Sequence, residues 1–184
     1  MGKMKIVCVN GMAQAGKDLF CDYAFKNRGL VYVYSTIDKV KEIARQIGWD
    51  GKKDERGRKF LSDLKDAMTD YDDLPRKYVL KEIKNRMDII GYGHEGEIWG
   101  HDAVFLVHMR EPKEIEKWEN EHGARSLLIN RKEADRQWNN HADDEVYNHM
   151  YHYVLGNNGS KEDLEKIAIQ FIDDIREEDW ESHL

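Results

Sequence analysis

Two glycines with four residues between them, and a lysine directly after the second, stand in the run Gly11-Met12-Ala13-Gln14-Ala15-Gly16-Lys17-Asp18. This run fits the pattern G-x-x-x-x-G-K-[ST] at every position but the last. Gly11 and Gly16 let the backbone turn around an anion with its N–H groups facing inward, ahead of a helix whose N-terminus adds positive potential. Lys17 adds a full positive charge. The chemistry this suits is the grip of a nucleotide polyphosphate by Gly11, Met12, Ala13, Gln14, Ala15, Gly16, Lys17, Asp18 and Leu19.

The departure at the last position bears on a metal ion. Where such loops usually carry a Ser or Thr hydroxyl for Mg²⁺, this chain has Asp18, and Leu19 after it offers no hydroxyl in its place. The Asp18 carboxylate can ligate Mg²⁺ directly or through water, since that ion takes oxygen ligands and keeps several waters. Equally, Asp18 is favoured in a first helical turn by the helix dipole, with no metal involved.

The elements that must position this loop follow from hydrophobic patterning. Met4 to Val9 is an apolar run suited to a buried parallel strand, and Asp18 to Asn27 reads as a helix. Gly29 reads as its stop, followed by a strand over Leu30 to Tyr34. Ser35-Thr36-Ile37-Asp38 can cap a helix that runs to about Ile47 and ends at Gly48. From Asp54 to about Gly91 the pattern is helical, with Phe60, Leu61, Leu64, Ala67 and Met68 on one face and a break at Leu74-Pro75. Strands are expected over Ala103 to His108, Arg125 to Ile129 and Tyr151 to Leu155, and helices over Glu111 to Glu121 and Lys161 to Arg176. Alternation of this kind calls for a parallel sheet covered on both faces.

Composition narrows the function classes. At 184 residues with 40% hydrophobic content, the chain fits one domain with a substantial core. A formal charge of −7 argues against nonspecific binding of free nucleic acid, which needs a basic face to displace counterions. No apolar run reaches the length of a membrane span, and Met1-Gly2-Lys3-Met4-Lys5 has no signal-peptide core, so a cytoplasmic protein is expected. Cys8 and Cys21, the only two cysteines, read as small core residues. The pair His149 and His152 lacks the further ligands of a zinc site and reads as surface. Trp49 reads as packing or as a face on which a base could stack, and the tail Glu177 to Glu181 as a frayed end.

With these elements in place, the chain resembles the nucleoside monophosphate kinase group of phosphate-loop enzymes, which is adenylate kinase-like. It is most similar to the phage-type deoxynucleoside monophosphate kinases. The likeness rests on the Gly-Lys-Asp loop at 11–18; on Ser35 to Lys41 with Gly48-Trp49-Asp50-Gly51 and Arg58-Lys59-Phe60-Leu61; and on Val107 to Pro112 with Tyr153 to Ser160. The resemblance implies a three-layer α/β P-loop NTPase fold, with a five-stranded parallel sheet and helices on both faces. It further implies a helical acceptor-binding insertion at approximately 36–100, a lid at approximately 131–149, and a monomer or homodimer.

The same resemblance implies ATP as phosphoryl donor, Mg²⁺ as cofactor and a (deoxy)nucleoside monophosphate as acceptor, in a host cytoplasm if the chain is phage-encoded. Alternatives are a kinase for another small molecule or a modified nucleotide, and a non-catalytic nucleotide-binding protein. Lys17 and the loop would hold the donor phosphates, while Ser35, Arg58 and Arg110 would hold the acceptor, guanidinium being suited to phosphate. Arg58 also fits a solvated helix face. Arg131 and Arg136 would close over the transferring group, or else belong to an exposed charged helix. Asn157 would lie in the loop beside the donor base, or in an ordinary turn before a helix cap. Where the related kinases end the third strand in an Asp two residues before Arg, this chain has His108-Met109-Arg110. Glu111 is the nearest carboxylate replacement at the metal, or the start of the next helix.

Overall fold

A computed structural model describes residues 2–92, 102–132 and 145–184. Among the described residues, five strands form one sheet in the order β2-β3-β1-β4-β5, every pair parallel. They are β1 (Met4–Asn10), β2 (Val31–Ser35), β3 (Ala103–His108), β4 (Arg125–Asn130) and β5 (Tyr153–Gly156). The helices are α1 (Lys17–Asn27), α2 (Asp38–Gln46), α3 (Glu55–Asp72), α4 (Leu74–Tyr92), α5 (Pro112–His122) and α6 (Lys161–Glu177), with a 3₁₀ turn at Val146–Asn148. No described helix is long and apolar enough to cross a membrane.

The central strand explains the layers. Ile6, Val7, Cys8 and Val9 of β1 are all fully buried, as a strand covered on both faces must be. Val7 and Val9 pack with Phe20, Cys21 and Ala24 of α1 and with Leu164, Ala168, Phe171 and Ile172 of α6. Ile6 and Cys8 face the other way, onto Val79 and Ile83 of α4 and Ile115 and Trp118 of α5. Each such aliphatic or aromatic side chain removed from water stabilises the fold by about 1.5–3 kcal/mol. The result is the expected three-layer α/β arrangement. A smaller apolar cluster ties α2 to α3 through Val40, Ala44, Leu61 and Met68, with Phe60 and Leu64 against it. Ala67 departs from the expected stripe and lies exposed.

Several boundaries shift for identifiable reasons. Helix α1 stops at an extended Arg28, whose guanidinium reaches Asp173, and the left-handed residue that follows is Leu30 rather than Gly29. The expected cap at residues 35–38 is absent: Ile37 precedes α2 with no side-chain cap, and Thr36 is buried beside Glu114. Between α3 and α4 the chain turns at Asp73, in the left-handed region, one residue before the Leu74-Pro75 break. Helix α6 begins as read, with Ser160 and Asp163 closing a reciprocal capping box. Strand β5 starts two residues late because Tyr151 turns inward and donates to the Val146 carbonyl at 2.7 Å.

The C-terminal tail is not frayed. Ser182 is 3% exposed; its amide donates to the Met4 carbonyl at 2.8 Å and its hydroxyl accepts from the Ile6 amide at 2.9 Å. Pairing of β1 with β4 begins only at Val7, so the tail supplies partners to the first half of β1. Lys5 points into the same end and is fully buried. Its ammonium donates to the carbonyls of Ile175 and Glu178 at 2.5 and 2.7 Å and pairs with Asp102 at 2.9 Å. It thereby caps the C-terminus of α6.

Candidate functional site

All five strands run the same way, so their carboxyl ends share one edge, the side on which open α/β sheets receive ligands. At that edge β1 gives way to the glycine-rich loop and then to α1. Gly11 has φ +153° and Gly16 φ +96°, so the chain reverses as the spacing predicts. A β-carbon on Gly11 would come to 2.4 Å from the Ile129 carbonyl oxygen, and one on Gly16 to 2.4 Å from Asn157 Nδ2. At Gly11 the obstacle is backbone and only glycine fits; at Gly16 a side chain would need both a strained φ and displacement of Asn157. Between them, the Ala15 amide donates to the Met12 carbonyl at 3.2 Å, and Gln14 takes a left-handed φ of 63°. Such a backbone is uncommon for a side-chain-bearing residue and marks a loop held by its surroundings.

Lys17 is folded over this loop, its ammonium donating to the carbonyls of Gly11 and, at 3.3 Å, Met12. The cradle is braced from beneath by two asparagines. Asn10 is fully buried: its Oδ1 accepts from the Gly11 amide at 2.8 Å, and its Nδ2 donates to the Tyr151 hydroxyl at 2.8 Å and the Arg110 carbonyl at 3.2 Å. Burial pushes the Tyr151 hydroxyl up to about 12, which keeps it neutral. Asn157 donates from Nδ2 to the Ala15 carbonyl at 2.8 Å, while its own amide reaches the Asn130 carbonyl at 2.7 Å. Its side chain is thus spent on the loop. The role of Asn10 was not read from the sequence, although a polar residue closing an apolar buried strand demands partners.

The strand register places the other candidates. His108, the last residue of β3, lies beside Val9 on one side and Ser35 on the other. Its Nδ1 stands 3.7 Å from Asp18 Oδ1, and the Asp18 side chain is 98% exposed. Burial holds the His108 imidazole below its ordinary value, against the pull of Asp18. Arg110 follows two residues later, exposed at the same edge. Arg131 directly follows β4, and the adjacent Lys132 amide donates to Asn158 Oδ1 at 3.0 Å. Arg58 sits exposed in the first turns of α3. Arg136 lies outside the described residues, as does most of the expected lid. The end of that span is seated in the core, with Val146 fully buried.

Glu111 is occupied elsewhere. It accepts from Lys65 of α3 at 2.8 Å, and Lys65 also contacts Glu114 at 3.1 Å. The group that faces Asp18 is therefore His108, not Glu111. Burial pushes the Glu114 carboxyl up, opposed by Lys65. Trp49 packs on the α2–α3 cluster, with the Arg45 guanidinium 5.5 Å from its ring and its indole N–H donating to the Lys52 carbonyl. His149, read as a surface residue, has its side chain turned inward, 5% exposed: its Nε2 lies 3.2 Å from Glu119, to which His152 also turns. Burial raises both cysteine thiols, so neither Cys8 nor Cys21 is a poised nucleophile. Among the described residues, no three His, Cys, Asp or Glu side chains are grouped to hold a metal ion.

Comparison with known proteins bears on the fold alone. No protein-family model matches the chain. No curated protein matches its sequence. Among solved structures, TT1252 from Thermus thermophilus is 17% identical over 94% of this chain and 98% of its own, with a TM-score of 0.50. A sugar kinase from Janibacter sp. HTCC2649 is 12% identical over 92% of this chain and 95% of its own, with a TM-score of 0.44. At such identities the likeness to TT1252 speaks for a shared α/β architecture with parallel strands, and the chain's chemistry has to be argued from its own residues.

Proposed function

We propose that the chain is a phosphotransferase that moves the γ-phosphoryl group of ATP, complexed with a divalent cation, to the phosphate of a (deoxy)nucleoside monophosphate in the cytoplasm. The products are ADP and the nucleoside diphosphate. The observation that carries this reading is the loop itself: Gly11 seated against backbone where no β-carbon fits, Gly16 at a positive φ against Asn157, and Lys17 folded over them at the carboxyl end of the central strand. Donor phosphates would take the place of the loop carbonyls as partners of the Lys17 ammonium. In-line transfer asks the protein chiefly to position the reactants and neutralise oxygens, and cations at this edge answer that need.

Arg110 and Arg58 are assigned to the acceptor phosphate, Ser35 to the acceptor beside His108, and Arg131 with Arg136 to closure over the transferring group. Asp18 and His108 present donors suited to the cation that accompanies ATP, with phosphate oxygens completing its shell. When bound, that cation neutralises charge on the β and γ oxygens. A panel of nucleoside monophosphates with ATP and Mg²⁺ or Mn²⁺, read for diphosphate formation, tests the assignment. Product from at least one nucleotide is expected, and transfer only to a non-nucleotide compound would reassign the acceptor. A second reading, nucleotide binding without turnover, is favoured by His108 standing where related kinases place a carboxylate. It predicts ATP binding and no product with any acceptor.

A further inference from the structure

Asn10 ends the central strand fully buried, and both polar atoms of its carboxamide are engaged. Oδ1 accepts from the Gly11 amide at 2.8 Å, while Nδ2 donates to the Tyr151 hydroxyl at 2.8 Å and to the Arg110 carbonyl at 3.2 Å. Only one orientation satisfies all three. A flipped amide would set N–H against the Gly11 N–H and oxygen against the Arg110 carbonyl. Tyr151 enforces the choice: its single proton goes to the Val146 carbonyl at 2.7 Å, so it presents a lone pair to Asn10. Its ring is held edge-on to His149, with centroids 4.8 Å apart. One carboxamide thus joins the first glycine of the loop to the backbone of Arg110, which lies 100 residues beyond Asn10 in sequence. There the chain has just left β3, and its backbone is registered on β1 by Asn10 and by the Met109 amide, which donates to the Val9 carbonyl at 3.1 Å. The loop has separate support, from Asn157 on the Ala15 carbonyl and from Ile129 against Gly11.

We propose that Asn10 is a positioning residue for phosphoryl transfer: its carboxamide, oriented by Tyr151, fixes Arg110 relative to the glycine-rich loop and so sets the acceptor phosphate against the donor's γ-phosphate. The proposal rests on the nucleotide reading of the loop and on the assignment of Arg110 to the acceptor. In-line transfer tolerates little error in the spacing of its reactants, and a misplacement of about 1 Å can lower the rate by about 10²-fold. A buried brace shared by the donor loop and the acceptor arginine controls that spacing without touching either substrate.

The test uses the full chain, with ATP, Mg²⁺ and the common ribo- and deoxynucleoside monophosphates as acceptors, beside calorimetry with a non-hydrolysable ATP analogue. Asn10→Ala should lower kcat/KM for the acceptor by about 10²-fold. The analogue's Kd should move by less than about threefold, since Asn157 and Ile129 still hold the loop. Tyr151→Phe removes one oxygen and leaves the Gly11 and Arg110 partners of Asn10 in place. It should lower kcat/KM by about three- to tenfold, the worth of one hydrogen bond. The double variant N10A/Y151F should match N10A within about twofold, because the hydroxyl acts through the carboxamide. Circular dichroism restricts the comparison to folded protein, and if N10A does not fold, Y151F decides alone. Wild-type kcat/KM in Y151F, losses that multiply in the double variant, or a loss of analogue binding that matches the loss of kcat/KM would overturn the positioning role and leave the functional reading standing. Wild type that makes no diphosphate from any of these acceptors would overturn both.

Discussion

Replacing Gly16 by alanine tests how the loop is held. At φ +96° the new side chain is strained whatever space surrounds it, and its β-carbon would lie 2.4 Å from Asn157 Nδ2. The backbone term is about 1–3 kcal/mol. Moving Asn157 aside also breaks its 2.8 Å bond to the Ala15 carbonyl inside the protein, which costs about another 1–3 kcal/mol. The sum, about 2–6 kcal/mol, is a large share of a typical domain stability of about 5–15 kcal/mol. A cost of about 3 kcal/mol lowers the thermal midpoint by about 6–12 °C for a chain of this size. Urea unfolding should give the same loss with an unchanged slope. Asn157→Ala removes the obstacle but also the bond, so the double variant G16A/N157A should cost less than the two single changes added together, by about 1–3 kcal/mol. Additive losses, or a Gly16→Ala protein within about 0.5 kcal/mol of wild type, would show that Asn157 does not brace the loop.

Four further outcomes are expected. Lys17→Ala should lower the phosphoryl-transfer rate by about 10²–10³ with the fold preserved, measured by coupled assay beside circular dichroism; an unchanged rate would remove Lys17 from the chemistry. Ser182→Ala strands the fully buried Ile6 amide and should destabilise the protein by about 1–3 kcal/mol, read from chemical denaturation. Lys5→Met leaves Asp102 and the end of α6 without their ammonium, a loss of about 3–5 kcal/mol; equal or greater stability would mean that packing replaces the pair. Stability should also fall as pH drops below about 6.5. Burial holds His122 below its ordinary value, so the unfolded chain takes up the proton first and folding loses ground on acidification. Arg76 faces Nε2 of that ring and the His183 carbonyl faces Nδ1, so His122→Gln should flatten the acid limb of the profile, measured as denaturation midpoint against pH.

Alternation of strand and helix patterns made the five strands and the three-layer arrangement legible, because a strand buried on both faces needs an apolar run such as Ile6 to Val9 of β1. The loop was legible for a related reason: its glycines answer a backbone geometry that no other residue meets. What escaped the sequence depends on contacts between distant residues. Nothing local tells that Ser182 will fill the first half of β1, that Lys65 will claim Glu111, or that His108 will face Asp18. Residues near the tail looked frayed because charge dominates there, while the three hydrogen bonds of Ser182, to Met4, Ile6 and Gly123, decide the outcome. The asparagines misled differently. Asn157 carries a turn signature, yet its amide is turned inward to the Ala15 carbonyl.

The bracing of the loop by residues from the far end of the chain has a consequence for biogenesis. Ala15 leans on Asn157, Gly11 nestles against Ile129, and Asn10 is tethered to Tyr151, so the loop acquires its shape only once β1, β4 and β5 have come together. A nascent polypeptide still missing its last strand therefore has the motif but not the pocket. Under the proposed function, ligand capture during synthesis would report the docking of β5, and triphosphate present at that moment would trap the finished form by mass action.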